Sequence, residues 1–486
     1  MRLKVVLHML GVLIIFIGIF ELFPLLWSIF YQEEEAIVFL VCILITLGAG
    51  CFLKRLGKYA ENITLKESFA FVTLGWVLAG IFGSFPFYFA GIFTNYVDAF
   101  FESMSGFTTT GATVIEDIEK LGHGILIWRS MTQWLGGMGI IALFVAVLPR
   151  LGGGTFYLFR AEIPGPVKEK IVPRIAETAK ILWGIYLFIS LAQFIMLLLS
   201  GLSVFDSFNH TFTTMATGGF STRNESIAAF NNPFTEGVII AFMFMAGVNF
   251  SLYYALFRGN IKSIFQDYEF RFYLSFLAVT GLIVSIILFL YTYDSIFDSI
   301  RYGFFQVVSI TTTTGFATDD FNEWPPFLRG VLFFLKFMGG CGGSTGGSIK
   351  QIRIIVAAKL CFREVYRIIH PRAVIPVRLG NKSISENVAM NIAGFVLFYI
   401  LIFVVSSLLM TSFGLELVSA FSAVAATLGN VGPGLDLVGP LETYAPIPSP
   451  GKILLSFLML VGRLEIFTVM VLLLGLIPKS WFPSNR

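Results

Sequence analysis

The feature that most limits what this chain can fold into is a short polar, glycine-centred loop that occurs four times, each time between long apolar segments. The clearest copy is T-T-T-T-G-F-A-T at Thr311–Thr318. Weaker copies are T-T-T-G-A-T-V at Thr108–Val114, M-A-T-G-G-F-S-T at Met215–Thr222 and T-L-G-N-V-G-P-G at Thr427–Gly434. A polar loop at membrane depth is tolerated only where it is buried in protein or lines a water-filled path. Four in one chain point to a single four-part pore, with backbone carbonyls ringed about an axis in place of an ion's hydration shell.

Gly, Ser and Thr also serve close helix packing, so a single loop is open to that reading; the repetition is what argues against it. With Gly111, Gly218, Gly315 and Gly432 aligned, Phe100, Phe304 and Phe421 each fall eleven residues earlier (111−100, 315−304, 432−421). The second copy breaks the phase, with Ser207 at that position and Phe208 one residue later. Eleven residues is about three helical turns, so each copy reads as a short pore helix running into its loop.

The surrounding composition suits lipid. With 56% hydrophobic and 13% charged residues and a mean hydropathy of +0.83, the chain is not a soluble protein of its length. Cys42, Cys51, Cys341 and Cys361 have no metal-ligand spacing and no disulfide pattern. His8, His123, His210 and His370 are scattered, and neither a G-x-S-x-G elbow nor an H-E-x-x-H helix occurs. No catalytic pair is in view, which argues against an enzyme.

The expected fold is an all-α integral membrane protein, with four helix–pore-loop–helix repeats around one pore and two extra leading helices. The leading pair occupies residues 1–60, with spans over about Val5–Phe30 and Ala36–Leu53. Repeat 1 covers 61–150 (spans Phe69–Ala90 and Gly124–Leu148), repeat 2 covers 151–258 (Ile181–Leu199 and Gly237–Phe257) and repeat 3 covers 259–380 (Phe272–Leu290 and a long segment from Phe327). Repeat 4 covers 381–486 (Val388–Met410 and Lys452–Leu476), which makes ten spanning helices. Basic residues cluster in the connectors at 54–66, 149–174, 258–271 and 350–382 and at the C-terminus, while Glu33–Glu35, Glu116, Asp117, Glu119, Asp319, Asp320, Glu323, Asp436 and Glu442 fall on the other side. The positive-inside rule then puts both termini in the cytoplasm and opens all four loops outward. The outer carboxylates either concentrate cations or are ordinary solvated loop residues.

Repeat 3 carries a second feature. Gly339, Gly340, Gly342, Gly343, Gly346 and Gly347 sit inside what would otherwise be one helix from Phe327 to Leu360. At about 1 kcal/mol each they break it. A loop inside the pore, below the filter, is the expected result, with a tight-packing helix face as the alternative. The segment is not a phosphate-binding loop, because Lys350 is followed by Gln351. Arg463 lies about halfway along the last span, and an intramembrane arginine is a functional candidate by default. Facing the pore, at about 6 Å and an effective dielectric near 20, it would repel a monovalent cation by roughly 3 kcal/mol. The alternative is a structural role, paired with Glu465 or with helix-end carbonyls. Lys336, just before the glycine run, is a similar candidate.

These four units, one glycine per loop, and the run G-G-C-G-G-S-T-G-G-S-I-K at Gly339–Lys350 resemble the Trk/Ktr/HKT superfamily of potassium transporters over nearly the whole chain. The two leading helices make it similar to the bacterial TrkH and TrkG branch. The resemblance implies K⁺ uptake across the bacterial cytoplasmic (inner) membrane, with K⁺ held at the filter, and a homodimer with a pore in each protomer. It also implies a cytosolic ring of RCK-type, TrkA-like regulatory subunits that carry the nucleotide, NAD or ATP/ADP, so that none is expected on this chain; nucleic acid is no partner. It places the filter on Thr109, Thr110 and Gly111, on Ala216, Thr217 and Gly218, on Thr313, Thr314 and Gly315, and on Asn430, Val431 and Gly432. It also puts an arginine near the intramembrane loop, which fits Arg463 as part of a gate. Plant relatives with serine at the first filter glycine are associated with Na⁺; glycine at all four positions favours K⁺. No copy reads T-V-G-Y-G, and Ala216, Asn430 and Pro433 depart from the pattern. The competing class is a secondary transporter of a small solute, with broken helices at the membrane midplane. Inverted repeats would send alternate loops to opposite sides, whereas these four all open one way.

Overall fold

The structure, a computed structural model, describes residues 2–60, 63–139, 175–373, 375–380 and 382–474. The basic connector Pro149–Arg174, the span beyond residue 139 and the C-terminal basic residues lie outside the described residues.

The first apolar run forms α1 (Leu3–Phe20) and α2 (Leu22–Phe30), hinged at Glu21. The buried Glu21 carboxyl accepts from Thr46 Oγ1 at 3.4 Å, which ties the hinge to α3 (Glu35–Leu56). Gly11 and Gly50 let α1 and α3 approach so closely that a Cβ at either would meet the other helix.

Repeat 1 consists of α4 (Leu65–Gly83) with its short continuation α5 (Phe85–Phe89), α6 (Tyr96–Phe107) and α7 (His123–Gly137). A capping box between Thr64 and Glu67 starts α4. Repeat 2 is α8 (Ile175–Leu199), α9 (Val204–Met215), α10 (Pro233–Ala246) and α11 (Phe250–Phe257). After α12 (Lys262–Gln266), repeat 3 runs through α13 (Tyr268–Tyr291), α14 (Ile296–Thr311), α15 (Pro326–Leu335) and α16 (Gln351–Ile369). A two-residue antiparallel pair, β1 (Arg378–Leu379) with β2 (Lys382–Ser383), leads into repeat 4: α17 (Glu386–Ser412), α18 (Leu417–Leu428), α19 (Ser449–Arg463) and α20 (Phe467–Leu474).

Four short helices, α6, α9, α14 and α18, form the centre and are buried along most of their length. The long helices surround them and turn large apolar side chains outward, among them Leu44, Ile283 and Leu397. That is the arrangement of a chain whose solvent is lipid. Among the described residues, six helical segments are long and apolar enough to cross a membrane, and the α10–α11 pair makes a seventh if its two parts count as one span. The protein is a multi-pass membrane protein with four helix–pore-loop–helix units and two leading helices.

The break expected in repeat 3 lies between α15 and α16, but it was expected there alone, and the second helices of the other units also differ from the expected continuous span. Helices α10 and α11 meet at 94°, and α19 ends at Arg463 with Glu465 and Ile466 in left-handed backbone (φ 54° and 46°). In repeat 1, α7 ends at Gly137, next to the described limit. The reason is contact with the central helices. A Cβ at Gly136 would strike the carbonyl of Phe107, and one at Gly462 the carbonyl of Leu428, each the last residue of its own unit's pore helix. Each of these two helices therefore stops directly under a pore-helix C-terminus. The count of ten spans measured apolar runs rather than unbroken helices.

Candidate functional site: the four-strand ring and the loop beneath it

Each pore helix is aimed by its sequence. Asn95 accepts from Val97 N, Ser203 from Asp206 N and Ser295 from Asp298 N, fixing the starts of α6, α9 and α14. All four helices end four residues before a glycine in left-handed backbone (107 to 111, 215 to 219, 311 to 315, 428 to 432). The first of these intervening residues closes each helix; the next, Thr109, Thr217, Thr313 or Asn430, has φ of 55°, 54°, 62° or 52°. The third donates its N–H back across the helix end: Thr110 to Ser105 O, Gly218 to Thr213 O, Thr314 to Ser309 O and Val431 to Ala426 O, at 2.8–2.9 Å. The fourth is Gly111, Gly219, Gly315 or Gly432, with φ of 82°, 76°, 83° and 95°. The partly negative helix C-termini thus face the glycine strands, a favourable field for a cation.

The strands close on one another. A Cβ at Gly111 would collide with Gly218 O, one at Gly219 with Thr314 O, one at Gly315 with Val431 O, and one at Gly432 with Thr110 O. Each unit's glycine therefore lies against the carbonyl just before the next unit's glycine, in the order 1, 2, 3, 4 and back to 1. Only a closed ring of four strands gives that cycle, and only glycine fits it, for lack of a Cβ and for its positive φ.

This geometry moves the second unit by one residue. Gly219, not Gly218, is the counterpart of Gly111, Gly315 and Gly432, and Gly218 stands where Thr110, Thr314 and Val431 stand. Thr217 matches Thr109. Ala216 caps α9 and drops to the place of Thr108. The shift also restores the aromatic phase, since Phe208 is eleven residues before Gly219 (219−208).

Side chains absent from the sequence reading hold the ring. Glu102 of α6 and Arg129 of α7 form a fully buried ion pair at 2.7 Å. Glu102 also accepts from Val114 N at 3.0 Å, and Arg129 donates to Ser221 O at 2.9 Å and lies 3.6 Å from the Phe220 ring centroid. Together they brace the strands of units 1 and 2. Gln133 donates to Gly218 O and accepts from Phe220 N. Asn430 Nδ2 donates to Thr110 Oγ1 at 3.0 Å, joining units 4 and 1, and Tyr444 donates its hydroxyl proton to Gly432 O at 2.7 Å within unit 4. The readable signal was Glu102 and Arg129 themselves, two charges inside apolar segments.

Directly beneath the ring lies the glycine run. Gly347 N donates to Thr313 Oγ1 at 2.6 Å, and a Cβ at Gly346 would come within 2.9 Å of Thr312 O. The loop is closed on itself by Gly339 N to Ile349 O (2.9 Å) and Gln351 N to Gly340 O (3.1 Å). Its near side meets the α10–α11 bend: Cys341 N donates to Gly247 O, Thr345 Oγ1 to Ala246 O, and Phe250 N to Gly343 O. Glu269 of α13 accepts from both Gly342 N (2.7 Å) and Ile352 N (3.0 Å), clasping the loop and the start of α16.

Arg463 meets this loop. Its guanidinium donates to Thr345 O at 2.7 Å, and to Gly136 O and Gly137 O at 2.6 Å each. The guanidinium thus joins helix-end carbonyls of α7 to the loop, the structural role set out for it as the alternative. Glu465 instead pairs with Arg353 of α16. Lys336 meets the loop through its backbone carbonyl, which accepts from Ser348 Oγ at 2.7 Å, and its buried ammonium lies 5.9 Å from the centroid of Phe321.

The family model TrkH, described as a cation transport protein, matches residues 32–482. The chain is 41% identical over 476 residues to the Trk system potassium uptake protein TrkH of Halomonas elongata, covering 97% of this chain and 98% of that protein. Identity is 40% over 477 residues to TrkH of Escherichia coli K12, with the same coverage, and 34% over 485 residues to its TrkG (98% and 99% covered). Among solved structures, the crystal structure of the potassium transporter TrkH from Vibrio parahaemolyticus superposes with a TM-score of 0.89 at 36% identity, covering 99% of this chain and all of that one.

Proposed function

The chain belongs to the TrkH family of cation transport proteins, and on that premise we propose that it is the membrane subunit of a potassium uptake system, conducting K⁺ through the four-strand ring. The observation that carries this reading is the cycle of glycine-to-carbonyl contacts, 111 to 218, 219 to 314, 315 to 431 and 432 to 110. A dehydrated cation needs oxygen ligands in place of water, and four converging strands supply them as fixed dipoles. Glycine at every ring position favours K⁺ over Na⁺. The same cycle speaks against a small-solute transporter, because inverted repeats would not close with one sense of rotation.

Beneath the filter, the Gly339–Gly347 loop is the gate and Arg463 its latch. The loop blocks by volume, while Arg463 places a positive charge under the ion path and holds the loop through Thr345. Opening follows from moving α16, whose first turn is joined to the loop through Gln351 and to the α19–α20 break through the Arg353–Glu465 pair. α16 itself carries Lys359 and Arg363, which brace it against the Arg378 carbonyl in the following connector and against Glu386 at the start of α17. In this reading a cytosolic nucleotide-binding ring docks there, a second copy of the chain completes a homodimer, and both termini face the cytoplasm of a bacterial inner membrane. The nucleotide resides on the ring, and this chain performs transport, not catalysis.

Rubidium uptake into liposomes carrying the purified chain tests the proposal. Uptake that is competed by K⁺ more strongly than by Na⁺ is the expected result. Liposomes that remain tight to Rb⁺, K⁺ and Na⁺ under imposed ion gradients, with and without a cognate regulatory ring, would overturn it.

A further inference from the structure

The four strands are not equally self-supporting. In units 1 and 3 a threonine pair stiffens the strand from within, Thr108 Oγ1 to Thr110 Oγ1 and Thr312 Oγ1 to Thr314 Oγ1, each at 2.8 Å. Unit 4 lacks the pair but sends its Asn430 amide to Thr110 Oγ1 and Met459 O. Unit 2 has Ala216 and Gly218 at the paired positions, and so no side chain of its own for the purpose.

That empty place is filled from another unit. A Cβ built on Gly218 would fall on the carboxamide of Gln133, a fully buried residue of α7 in unit 1. The amide donates to Gly218 O at 2.6 Å and accepts from Phe220 N at 3.1 Å, spanning the ring glycine, Gly219. Gly218 O is also the oxygen against which Gly111 packs.

We propose that Gln133 is a positioning residue for ion selectivity, replacing from unit 1 the side chain that the second strand lacks and fixing the Gly218 carbonyl in the ring. The inference rests on the reading of the ring as an ion filter. A carbonyl held by one buried amide keeps the spacing that distinguishes K⁺ from the smaller Na⁺; released, it can follow the smaller ion inward. Glycine at 218 and glutamine at 133 thus form one unit of sequence, each explaining the other.

The test uses the full chain in liposomes, reading Rb⁺ uptake against K⁺ and Na⁺ as competitors. Gln133→Met keeps the volume and removes both hydrogen bonds; Na⁺ is expected to compete about fivefold better relative to K⁺, the scale of one lost buried hydrogen bond. A packing role alone would lower the amount of folded protein and leave that ratio unchanged. The decisive arm is exchange: Gly218→Thr alone collides with the carboxamide, whereas Gln133→Ala with Ala216→Thr and Gly218→Thr restores a threonine pair from within, as in units 1 and 3, and should recover discrimination lost in Gln133→Ala. Parent-like competition in Gln133→Met overturns the proposal. So does a triple variant no more discriminating than Gln133→Ala, and this arm decides if Gln133→Met fails to fold. A parent protein without K⁺ preference would contradict the filter reading itself, whatever the Gln133 variants do.

Discussion

At the scale of single residues, the ring is defined by what cannot be added to it. Serine at Gly219 would need a left-handed backbone and a Cβ inside the Thr314 carbonyl, so Gly219→Ser should weaken K⁺ preference, as should Gly111→Ser, Gly315→Ser and Gly432→Ser. Competition assays on the four variants check this; parent-like selectivity in Gly219→Ser alone would return the second unit to Gly218. The sequence held the correct register, because G-F-S-T after Thr217-Gly218 matches G-F-A-T after Thr313-Thr314. Adjacent glycines hid it: aligning on the first of the pair is as natural as aligning on the second until the backbone angles separate them. The Glu102–Arg129 pair is the other residue-scale support. Glu102→Ala leaves a buried guanidinium without its counter-charge and should cost about 3–5 kcal/mol, measured as a large fall in the melting temperature of the purified protein. A melting temperature equal to the parent's would mean that the pair does not brace the ring.

At the scale of elements, the pore helices and the glycine loop could be read from sequence, and the helix breaks could not. The pore helices announce themselves by a fixed aromatic phase, and six glycines in nine residues forbid a helix locally. The α10–α11 bend has no comparable mark: it falls at Gly247–Asn249 within an apolar run, and its cause is the long-range contact of Gly247 O with Cys341 N. The α19 end is set by Gly462 against Leu428 O, again a contact between distant segments. The bends and the loop act together, because the loop hangs from the α10–α11 bend, from Glu269 and from Arg463. Arg463→Ala removes charge-assisted bonds to three carbonyls, so Rb⁺ flux without a regulatory ring should rise about tenfold or more, with the K⁺ to Na⁺ ratio unchanged. Glu269→Leu, which frees Gly342 N and Ile352 N, should act in the same direction. Flux at the parent level in both variants, with normal membrane insertion, would remove the gate from this account.

At the scale of the whole molecule, four units that differ in nearly every supporting contact still make one closed cycle. The threonine pairs serve units 1 and 3, Gln133 serves unit 2, and Asn430 with Tyr444 serves unit 4. Repeats in one chain are free to diverge in this way, because each strand needs only to deliver its carbonyl to a common axis. The sequence showed the four-fold plan and the lipid-facing exterior; the Gln133 and Asn430 supports stayed hidden because each is a contact across units, as far apart as residues 110 and 430. The central claim is that the ring binds the transported ion. The most direct measurement is anomalous diffraction from crystals of the protein grown in Rb⁺. The account predicts Rb⁺ on the axis enclosed by the carbonyls of Thr110, Gly218, Thr314 and Val431; Rb⁺ bound only elsewhere, with that axis empty, would contradict it.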